Sequence, residues 1–241
     1  MPRHGKKFLA AKAMVEDGKL YEPAGAIDLV KQAAFANFDE SIETHIRLGI
    51  DPRQADQIVR STVVLPSGTG KEPRVLVFAA GEAVRAAEEA GADYVGSDDI
   101  VQQIQNGWLE FDAAIAMADQ MGKVGGLGRI LGRRGLMPNP RSGTVVRTVE
   151  DLPGVIHELK RGRVEFRNDR TGLVHVAIGK KSFDTPALEA NLMALIDAIV
   201  RAKPSGAKGV YCRSITLTST MGPGVPLDVA RTLELSAEQT A

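Results

Sequence analysis

A chain of 241 residues, 44% hydrophobic and 25% charged, has the length of one or two globular domains and an ordinary globular composition. No apolar run approaches eighteen residues, which excludes a transmembrane helix, and we expect no secretory signal because the basic start lacks an apolar stretch of the required length. Cys212 is the only cysteine, so a disulfide framework is excluded, as fits a reducing cytoplasm.

Charge is unevenly distributed along the chain, although its 30 basic and 30 acidic side chains cancel. The stretch 123–147 holds six cations and no acid, and the stretch 160–170 holds five cations against two acids. A polyanion binds to patches of positive charge and not to the average of the chain. These two stretches therefore favour contact with nucleic acid despite the neutral total.

The first third of the chain predicts a helix followed by strands. A helical period begins at Pro23, and residues 42–48 then alternate between apolar and polar side chains, which is typical of a strand with one buried and one wet face. Residues 60–65 predict another strand. The Pro- and Gly-rich stretch 66–73 ends this strand and marks a domain boundary.

The middle of the chain has a different pattern. A nearly continuous apolar strand at 74–80 is followed by a helical stretch, a short apolar pair at 94–95, a second helical stretch at 98–106 and a strand at 111–117. Strands that alternate with helices predict a parallel α/β sheet that is covered on both faces. A glycine-rich basic loop follows, and residues 149–160 predict the last helix of this part.

The last third returns to the alternating style of the first. Residues 160–179 predict a hairpin, with Gly172 in its turn as the residue free to take a positive φ. Residues 186–203 predict an amphipathic helix, and residues 211–220 predict a strand rich in hydroxyl groups. Residues 225–241 contain little to bury and predict a mobile tail.

These patterns together predict an α/β fold with two domains. Residues 1–67 and 160–241 form a discontinuous outer domain, and residues 68–159 form an α/β domain inserted between two of its strands. Two short connections then join the domains, which permits hinge motion.

The chain lacks the sequence signatures of catalysis. Three glycines between 126 and 132 are spaced one residue too widely for the dinucleotide fingerprint, and Gly70–Lys71 lacks the hydroxyl residue and the first glycine of a P-loop. The histidines show no metal-ligand spacing, Cys212 in a strand is more often a small buried hydrophobe than a nucleophile, and no carboxylate pair is singled out. The sequence therefore supports neither an enzyme nor a metal or other cofactor.

Four motifs, which occur in matching order, resemble one known family. They are NFDESIETHIRLGIDP, MGKVGGLGRILGRRGLMPNPRSGTV, GRVEFRNDRTG and LTSTMGP. They resemble bacterial large-subunit ribosomal protein one, the protein of the mobile stalk beside the tRNA exit site, from about Gly5 to Pro223. The chain departs from the family at Asn37, where a basic residue is common, and in a longer tail.

The resemblance implies the fold and the function together. It implies an α+β outer domain with an antiparallel sheet, which binds large-subunit rRNA, and an inserted Rossmann-like domain with a parallel sheet. It also implies a structural protein that is a monomer within the cytoplasmic ribosome and assists the release of deacylated tRNA. Free protein of this family binds its own operon mRNA and represses translation, so the implied partners are rRNA, exit-site tRNA and mRNA, with no membrane.

The resemblance further assigns RNA contacts at matching positions, and hydroxyls and carboxylates suit the 2′-OH groups and base edges of RNA. In this sequence the assigned contacts are Phe38, Ser41, Glu43, His45, Glu165, Arg167, Asn168, Asp169, Ser214, Thr218, Thr220, Met221, Gly222 and Pro223. Structural alternatives stay open: Phe38 as a core residue, and Thr218 and Thr220 as residues that only favour a strand.

The basic glycine-rich loop supplies a further hypothesis. Arg133 and Arg134 in this loop help to meet tRNA when the stalk closes, and the alternative is an ordinary solvated loop. Two other classes of protein stay open as rivals. One is a nucleotide-dependent α/β enzyme that uses the middle domain, and the other is a DNA-binding repressor.

Overall fold

A computed structural model describes the backbone of residues 5–240 and the side chains up to residue 238. This part of the chain divides into two compact units. Unit 1 combines the described residues up to Gly70 with those from Val164 onward, and unit 2 is Lys71–Arg163. The predicted domains, 1–67 with 160–241 and the inserted 68–159, stay a prediction.

The elements of the two units follow in chain order. The helices are α1 (Lys6–Lys12), α2 (Pro23–Ala33), α3 (Glu82–Glu89), α4 (Asp98–Gln105), α5 (Met121–Val124), α6 (Gly128–Arg134), α7 (Leu152–Arg161), α8 (Thr185–Arg201) and α9 (Val229–Thr240). The strands are β1 (Ser41–Leu48), β2 (Arg60–Val64), β3 (Val75–Phe78), β4 (Tyr94–Gly96), β5 (Ala113–Met117), β6 (Val145–Val146), β7 (Arg163–Arg167), β8 (Leu173–Lys180), β9 (Cys212–Ser219) and β10 (Val225–Pro226). Within residues 5–240, no helix is long and apolar enough to cross a membrane.

Unit 1 is built around a four-stranded antiparallel sheet in the order β10-β9-β1-β8. Its central strand, β1, alternates as predicted: Ile42, Thr44 and Ile46 are fully buried, and the side chains between them reach the surface. The apolar stripe of α8, which includes Leu192 and Ile196, belongs to the same hydrophobic core as these strand residues. The sheet therefore has one buried face and one open face.

The predicted hairpin at 160–179 is wrong. β7 pairs with β2 in a separate two-stranded sheet, whereas β8 pairs with β1, and only an isolated bridge at Asn168 joins the two strands of the expected hairpin. β7 lies beside β2 because Phe166 is buried in the core and Asn168 exchanges hydrogen bonds with the backbone of Val59. Alternation identifies a strand and not its partner. The turn is as predicted, since Gly172 has φ +79°.

The predicted mobile tail at 225–241 is also wrong over its described part. Val225 and Leu227 are buried, β10 pairs with β9, and α9 packs against α8. α9 packs against the core through Val229, Leu233 and Leu235. It also buries small polar side chains: the Ser236 hydroxyl lies 3.3 Å from the Met193 carbonyl oxygen of α8, to which it donates. Residue 241 lies outside the described residues.

Unit 2 contains a four-stranded parallel sheet in the order β4-β3-β5-β6. Helices cover both of its faces: α3 and α7 contribute Ala87 and Ile156 to one buried cluster, and α4 and α6 contribute Ile104 and Leu131 to the other. An antiparallel sheet in unit 1 and a separate parallel sheet in unit 2 confirm the predicted α/β fold class.

The glycine-rich stretch that was predicted as a loop is largely helical. α5, a 3-10 turn at Gly125–Leu127 and α6 follow one another without a break. Val124, Leu127 and Leu131 are fully buried at helical spacing, and Gly135, at φ +71°, ends the last turn. Burial of this apolar stripe outweighs the low helix propensity of the glycines.

Candidate nucleic-acid interface

The open face of the antiparallel sheet carries polar side chains in register. Because β1 is paired on both sides, Glu43, His45 and Arg47 each have one neighbour on β8 and one on β9, and Ser41 has Lys180 as its neighbour on β8. We call this surface the polar sheet face, and its members are Ser41, Glu43, His45 and Arg47 of β1, His175, Ala177 and Lys180 of β8, and Ser214, Thr216 and Thr218 of β9.

Hydrogen bonds hold the hydroxyl groups at one end of the polar sheet face. The Lys180 ammonium donates to Ser41 Oγ at 2.9 Å, and the Ser41 backbone N–H donates to Thr220 Oγ1 at 3.0 Å. The Thr218 hydroxyl lies 3.1 Å from the Gly222 carbonyl oxygen, to which it donates. A hydroxyl oxygen has two lone pairs, so each of these groups keeps capacity to accept a bond from a ligand.

His45 and His175 face each other at the centre of the polar sheet face. Their Nδ1 atoms are 2.7 Å apart, so one ring donates the hydrogen bond and the other, which accepts it, is neutral. Burial, and then repulsion from His175, lowers the pKa of His45, while Glu43 acts in the opposite direction. The His175 Nε2 lies 3.8 Å from a carboxylate oxygen of Asp169.

We expect the folding stability to fall as the pH decreases below about 6.5, because the unfolded chain protonates His45 at its ordinary pKa while the folded protein resists the proton. The charged or titratable groups around the ring are Glu43 and Arg47 on β1, and Asp169 and His175 from the side of β8. Urea unfolding at about pH 7.5 and about pH 5.5 measures the effect. A His45→Asn variant should lose less stability over this interval, and an equal loss in both proteins would contradict the assignment.

Two segments meet at the end of the sheet where β1 begins and β9 ends. We call them the paired loops, residues 34–40 and 220–224. The Thr220 N–H donates to the Ser41 carbonyl at 3.1 Å and fixes the second loop to the start of β1. Each loop presents one large apolar side chain to solvent: Phe38 is 55% exposed and Met221 is 52% exposed. Phe38 is therefore not a core residue.

A tight turn lies at the opposite end of the polar sheet face, where β8 begins. An Asp169 carboxylate oxygen accepts hydrogen bonds from the backbone N–H groups of Leu173 and Thr171, both at 2.8 Å. The bond from Leu173, followed by the bonds from Thr171, lowers the pKa of Asp169, although burial acts against them. The carboxylate is thus charged and fixed at the edge of the face.

Several predicted contacts lie away from the polar sheet face or inside the protein. Glu165 forms an ion pair with Arg60 in the two-stranded sheet, and Arg167 on the same strand is exposed and forms no ion pair with other described residues. Asn168 is 7% exposed: its amide oxygen accepts the Val59 N–H at 2.8 Å and its NH₂ group donates to the Asp169 carbonyl at 2.9 Å. Its side chain is therefore occupied within the protein.

The remaining predicted residues fall into three groups. Ser41, Glu43, His45, Ser214 and Thr218 are on the polar sheet face. Phe38, Thr220, Met221, Gly222 and Pro223 are in the paired loops, with Pro223 buried. Arg133 and Arg134 are exposed in the last turn of α6, in unit 2.

Sequence reasoning missed five members of the polar sheet face: Arg47, His175, Ala177, Thr216 and Lys180. The signal for two of them was present, because His175 and Ala177 alternate with buried valines along β8 just as Glu43 and His45 alternate with buried isoleucines along β1. Their alignment across the strands could not be read from the sequence, since register depends on the pairing itself.

The described residues offer no metal site and no activated thiol. Among them, no three side chains of the His, Cys, Asp and Glu types come together as metal ligands. Cys212 is buried, and burial raises the pKa of its thiol, so the reactive thiolate is disfavoured.

Comparison with known proteins identifies the family. The model of the ribosomal protein L1p/L10e family matches residues 30–223, which include β1, both paired loops up to Pro223 and all of unit 2. The chain belongs to this family. It is a ribosomal protein, and the family is one of structural ribosomal proteins and not of enzymes. Its predicted location, the ribosome of the cytoplasm, follows from this membership.

Relatives in the ribosomal protein L1p/L10e family match almost the whole chain. "Large ribosomal subunit protein uL1" of Thermomicrobium roseum is 67% identical over 234 residues, which cover 97% of each chain. The proteins of the same name from Chloroflexus aurantiacus and Gemmatimonas aurantiaca are 60% and 57% identical over 98% and 95% of this chain, and over 100% and 98% of their own lengths. Because the alignment with the Chloroflexus aurantiacus protein covers 98% of this chain, it includes most of residues 225–241.

Proposed function

We propose that this ribosomal protein binds large-subunit rRNA through the polar sheet face and the paired loops. The observation that carries the proposal is the register of the sheet, which aligns hydroxyl, carboxylate and imidazole groups on one open surface beside two exposed apolar side chains. Relatives that are 57–67% identical to the chain are named as proteins of the large ribosomal subunit, which supports rRNA as the ligand.

The chemistry of the polar sheet face favours RNA over DNA. Ser41, Thr216 and Thr218 offer hydroxyls, and Glu43 offers a carboxylate, which are partners for 2′-OH groups and base edges. Cations are few on this face, namely Lys180 and Arg47. The logarithm of the affinity falls with the logarithm of the salt concentration by about 0.7 to 0.9 for each phosphate neutralised, so we expect a shallow total salt dependence. Competition between rRNA and duplex DNA separates this proposal from a DNA-binding repressor, because duplex DNA should not displace the rRNA.

Footprinting on large-subunit rRNA and on the protein's own leader transcript tests the proposal directly. We expect one protected site on each RNA with a similar folded shape, since the same surface serves both. Protection of the rRNA alone would remove the second role, in which free protein represses translation of its own operon mRNA. Absence of protection on both RNAs would reject the proposed function.

Replacement of Thr220 by Val should weaken rRNA binding without unfolding the protein. Thr220 is exposed in the second paired loop, and its hydroxyl is the acceptor of the Ser41 N–H. Each lost hydrogen bond costs about 1–3 kcal/mol, or roughly 5- to 150-fold in affinity. Filter binding measures the effect, with Thr185→Val as the matched control, because the Thr185 hydroxyl bonds Asp28 of α2, which is in neither paired loop. Equal affinity for Thr220→Val and wild type would reject the contact.

The proposed place of the protein is the mobile stalk beside the tRNA exit site, where it acts as a monomer and assists the release of deacylated tRNA. Two features support a movable arm. The chain passes between the units only twice, near residues 70 and 164, and unit 2 carries the cation-rich segment that contains α6. In this proposal unit 1 holds the rRNA and unit 2 reaches the tRNA.

Neutralisation of Arg133 and Arg134 by Gln should reduce exit-site tRNA occupancy on ribosomes and leave rRNA binding unchanged. Both side chains are exposed and have no acidic neighbour in sequence, so they are available to phosphates. Arg85→Gln is the matched control, because α3 covers the other face of the parallel sheet from α6. Unchanged tRNA occupancy in the double variant would mean that Arg133 and Arg134 are ordinary solvent-exposed side chains and do not contact tRNA.

A further inference from the structure

Glu40 places a carboxylate inside the protein between the two paired loops. The residue is fully buried, with no measurable exposure. One carboxylate oxygen accepts the Ala36 N–H at 2.7 Å from the first loop, and the other accepts the Met221 N–H at 2.9 Å from the second loop. One side chain therefore joins the backbones of two segments that are 181 residues apart in sequence.

The surroundings of Glu40 keep its carboxylate charged. Burial alone would raise the pKa of this group, but the backbone N–H groups of Ala36 and Met221, the Ser219 hydroxyl and the nearby Lys181 ammonium hold it below the ordinary value. The same lysine anchors the first loop from the other side: its ammonium donates to the Ala34 carbonyl at 2.7 Å, and its backbone N–H donates to the Glu40 carbonyl at 2.8 Å. A buried carboxylate with charge-assisted bonds is a rigid link.

Phe38 and Met221 are the side chains that this link controls. Phe38 lies within the loop that Ala36 and Glu40 close, and Met221 supplies the N–H that the carboxylate accepts. Both are more than half exposed, although burial of such side chains is ordinarily favourable. A buried acid that is used only for stability would not require two large apolar groups to be presented to solvent on the two segments that it joins.

We propose that Glu40 is a positioning residue that holds Phe38 and Met221 as one preformed apolar pair for an unstacked base or ribose of the bound RNA. This inference rests on the proposed function, because it concerns how the paired loops meet rRNA. Glu40 itself does not touch the RNA, since it is fully buried. A preformed pair avoids the entropy cost of ordering two mobile side chains on binding.

Glu40→Gln tests the role with little change of shape. The amide can accept only one of the two N–H groups and turns its own NH₂ donor towards the other, which releases one loop from the other. We expect about tenfold weaker binding to a large-subunit rRNA fragment in filter binding. Asn191→Ala is the matched control: Asn191 is equally buried and also ties a loop through backbone bonds, to Ser67 and Gly68, away from the paired loops. This control should lose stability and keep its affinity.

A double-mutant cycle separates positioning from a general loss of stability. In a background with Phe38→Ala and Met221→Ala, Glu40→Gln should change the rRNA affinity less than about twofold, because the groups that it positions are gone. A second measurement needs no RNA. In protein labelled at the methionine methyl groups, the Met221 methyl should become more mobile on Glu40→Gln and stay unchanged on Asn191→Ala.

The outcomes separate the role of Glu40 from the proposed function. If the Phe38→Ala and Met221→Ala background weakens binding but Glu40→Gln binds like wild type, with an unchanged Met221 methyl, the role of Glu40 is overturned and the proposed function stands. If the background itself binds rRNA like wild type, the paired loops are not a contact, so the role of Glu40 fails together with the paired-loop part of the proposed interface, while rRNA binding itself stands. Should Glu40→Gln fold too poorly to titrate, Glu40→Asp, whose shorter side chain cannot reach both N–H groups, takes its place with the same expectations.

Discussion

The double variant Phe38→Ala with Met221→Ala is expected to bind large-subunit rRNA about 2–4 kcal/mol more weakly than wild type, or roughly 30- to 700-fold. The reason is that stacking of a base on an apolar or aromatic side chain contributes about 1–3 kcal/mol per base. Because both side chains are more than half exposed, the variant should keep its unfolding free energy within about 0.5 kcal/mol of wild type. Filter binding and urea unfolding measure the two quantities on the same preparations.

The control for this variant removes apolar surface of similar exposure elsewhere in unit 1. Leu20 is 60% exposed and Val210 is 72% exposed, and neither lies in the polar sheet face or the paired loops. Leu20→Ala with Val210→Ala should therefore bind rRNA like wild type. Equal losses in the two double variants would indicate a nonspecific effect of apolar surface, and wild-type affinity in the first would remove Phe38 and Met221 from the interface.

Gly222→Ala should damage both the second paired loop and RNA binding. A Cβ atom at Gly222 would collide with the Ser219 hydroxyl oxygen, and it would also reach to 3.8 Å from the Ala33 carbonyl of the neighbouring segment. Overpacking of this kind costs about 1–3 kcal/mol of stability. The displaced loop carries Met221, so we expect rRNA affinity to fall about tenfold or more. Thermal unfolding and filter binding measure the two effects.

Removal of the colliding atom should reverse the damage. In the double variant Ser219→Ala with Gly222→Ala, the colliding hydroxyl is gone, and the stability and affinity should return to those of Ser219→Ala alone, which is the reference because the Ser219 hydroxyl also helps to lower the pKa of Glu40. Gly25→Ala is the matched control for glycine replacement itself, because a Cβ there meets nothing within 4 Å and the residue lies inside α2. That control should be neutral or stabilise by about 0.5–1 kcal/mol. Failure of the Ser219→Ala rescue would mean that the collision is not the cause.

Much of the fold could be predicted because each element carries its own periodicity. Alternation over residues 42–48 identified β1 and its wet face, and the apolar run at 75–78 identified a strand buried on both sides. The helical stripe of α8 was equally clear. These signals are local, so they do not depend on knowledge of neighbouring elements. The alternating style of the two chain ends set them apart from the α/β middle, whereas the antiparallel sheet itself was implied by the family resemblance.

What could not be predicted depends on contacts between distant segments. The partner of β7 is chosen by Val59 and Phe166, and neither strand pattern contains that information. The packing of α9 combines a few apolar side chains, Leu233 and Leu235 among them, with buried hydroxyls such as that of Ser236, and so short a stripe does not by itself indicate burial. For the same reason the role of Glu40 could not be predicted: an acidic residue just before a predicted strand gives no sign that its carboxylate is enclosed between two distant backbones.

The central position of β1 has a consequence for how the protein is made. The strands that pair with β1 are synthesised late, because His45 pairs with His175 on one side and with Thr216 on the other. All strands of the sheet of unit 2, by contrast, lie within residues 71–163. During synthesis, which proceeds from the N-terminus, a nascent chain can thus complete unit 2 long before unit 1. A chain that stops short of β9 lacks one of the three strands of the polar sheet face, so under the proposed function only a finished chain offers the complete RNA-binding surface.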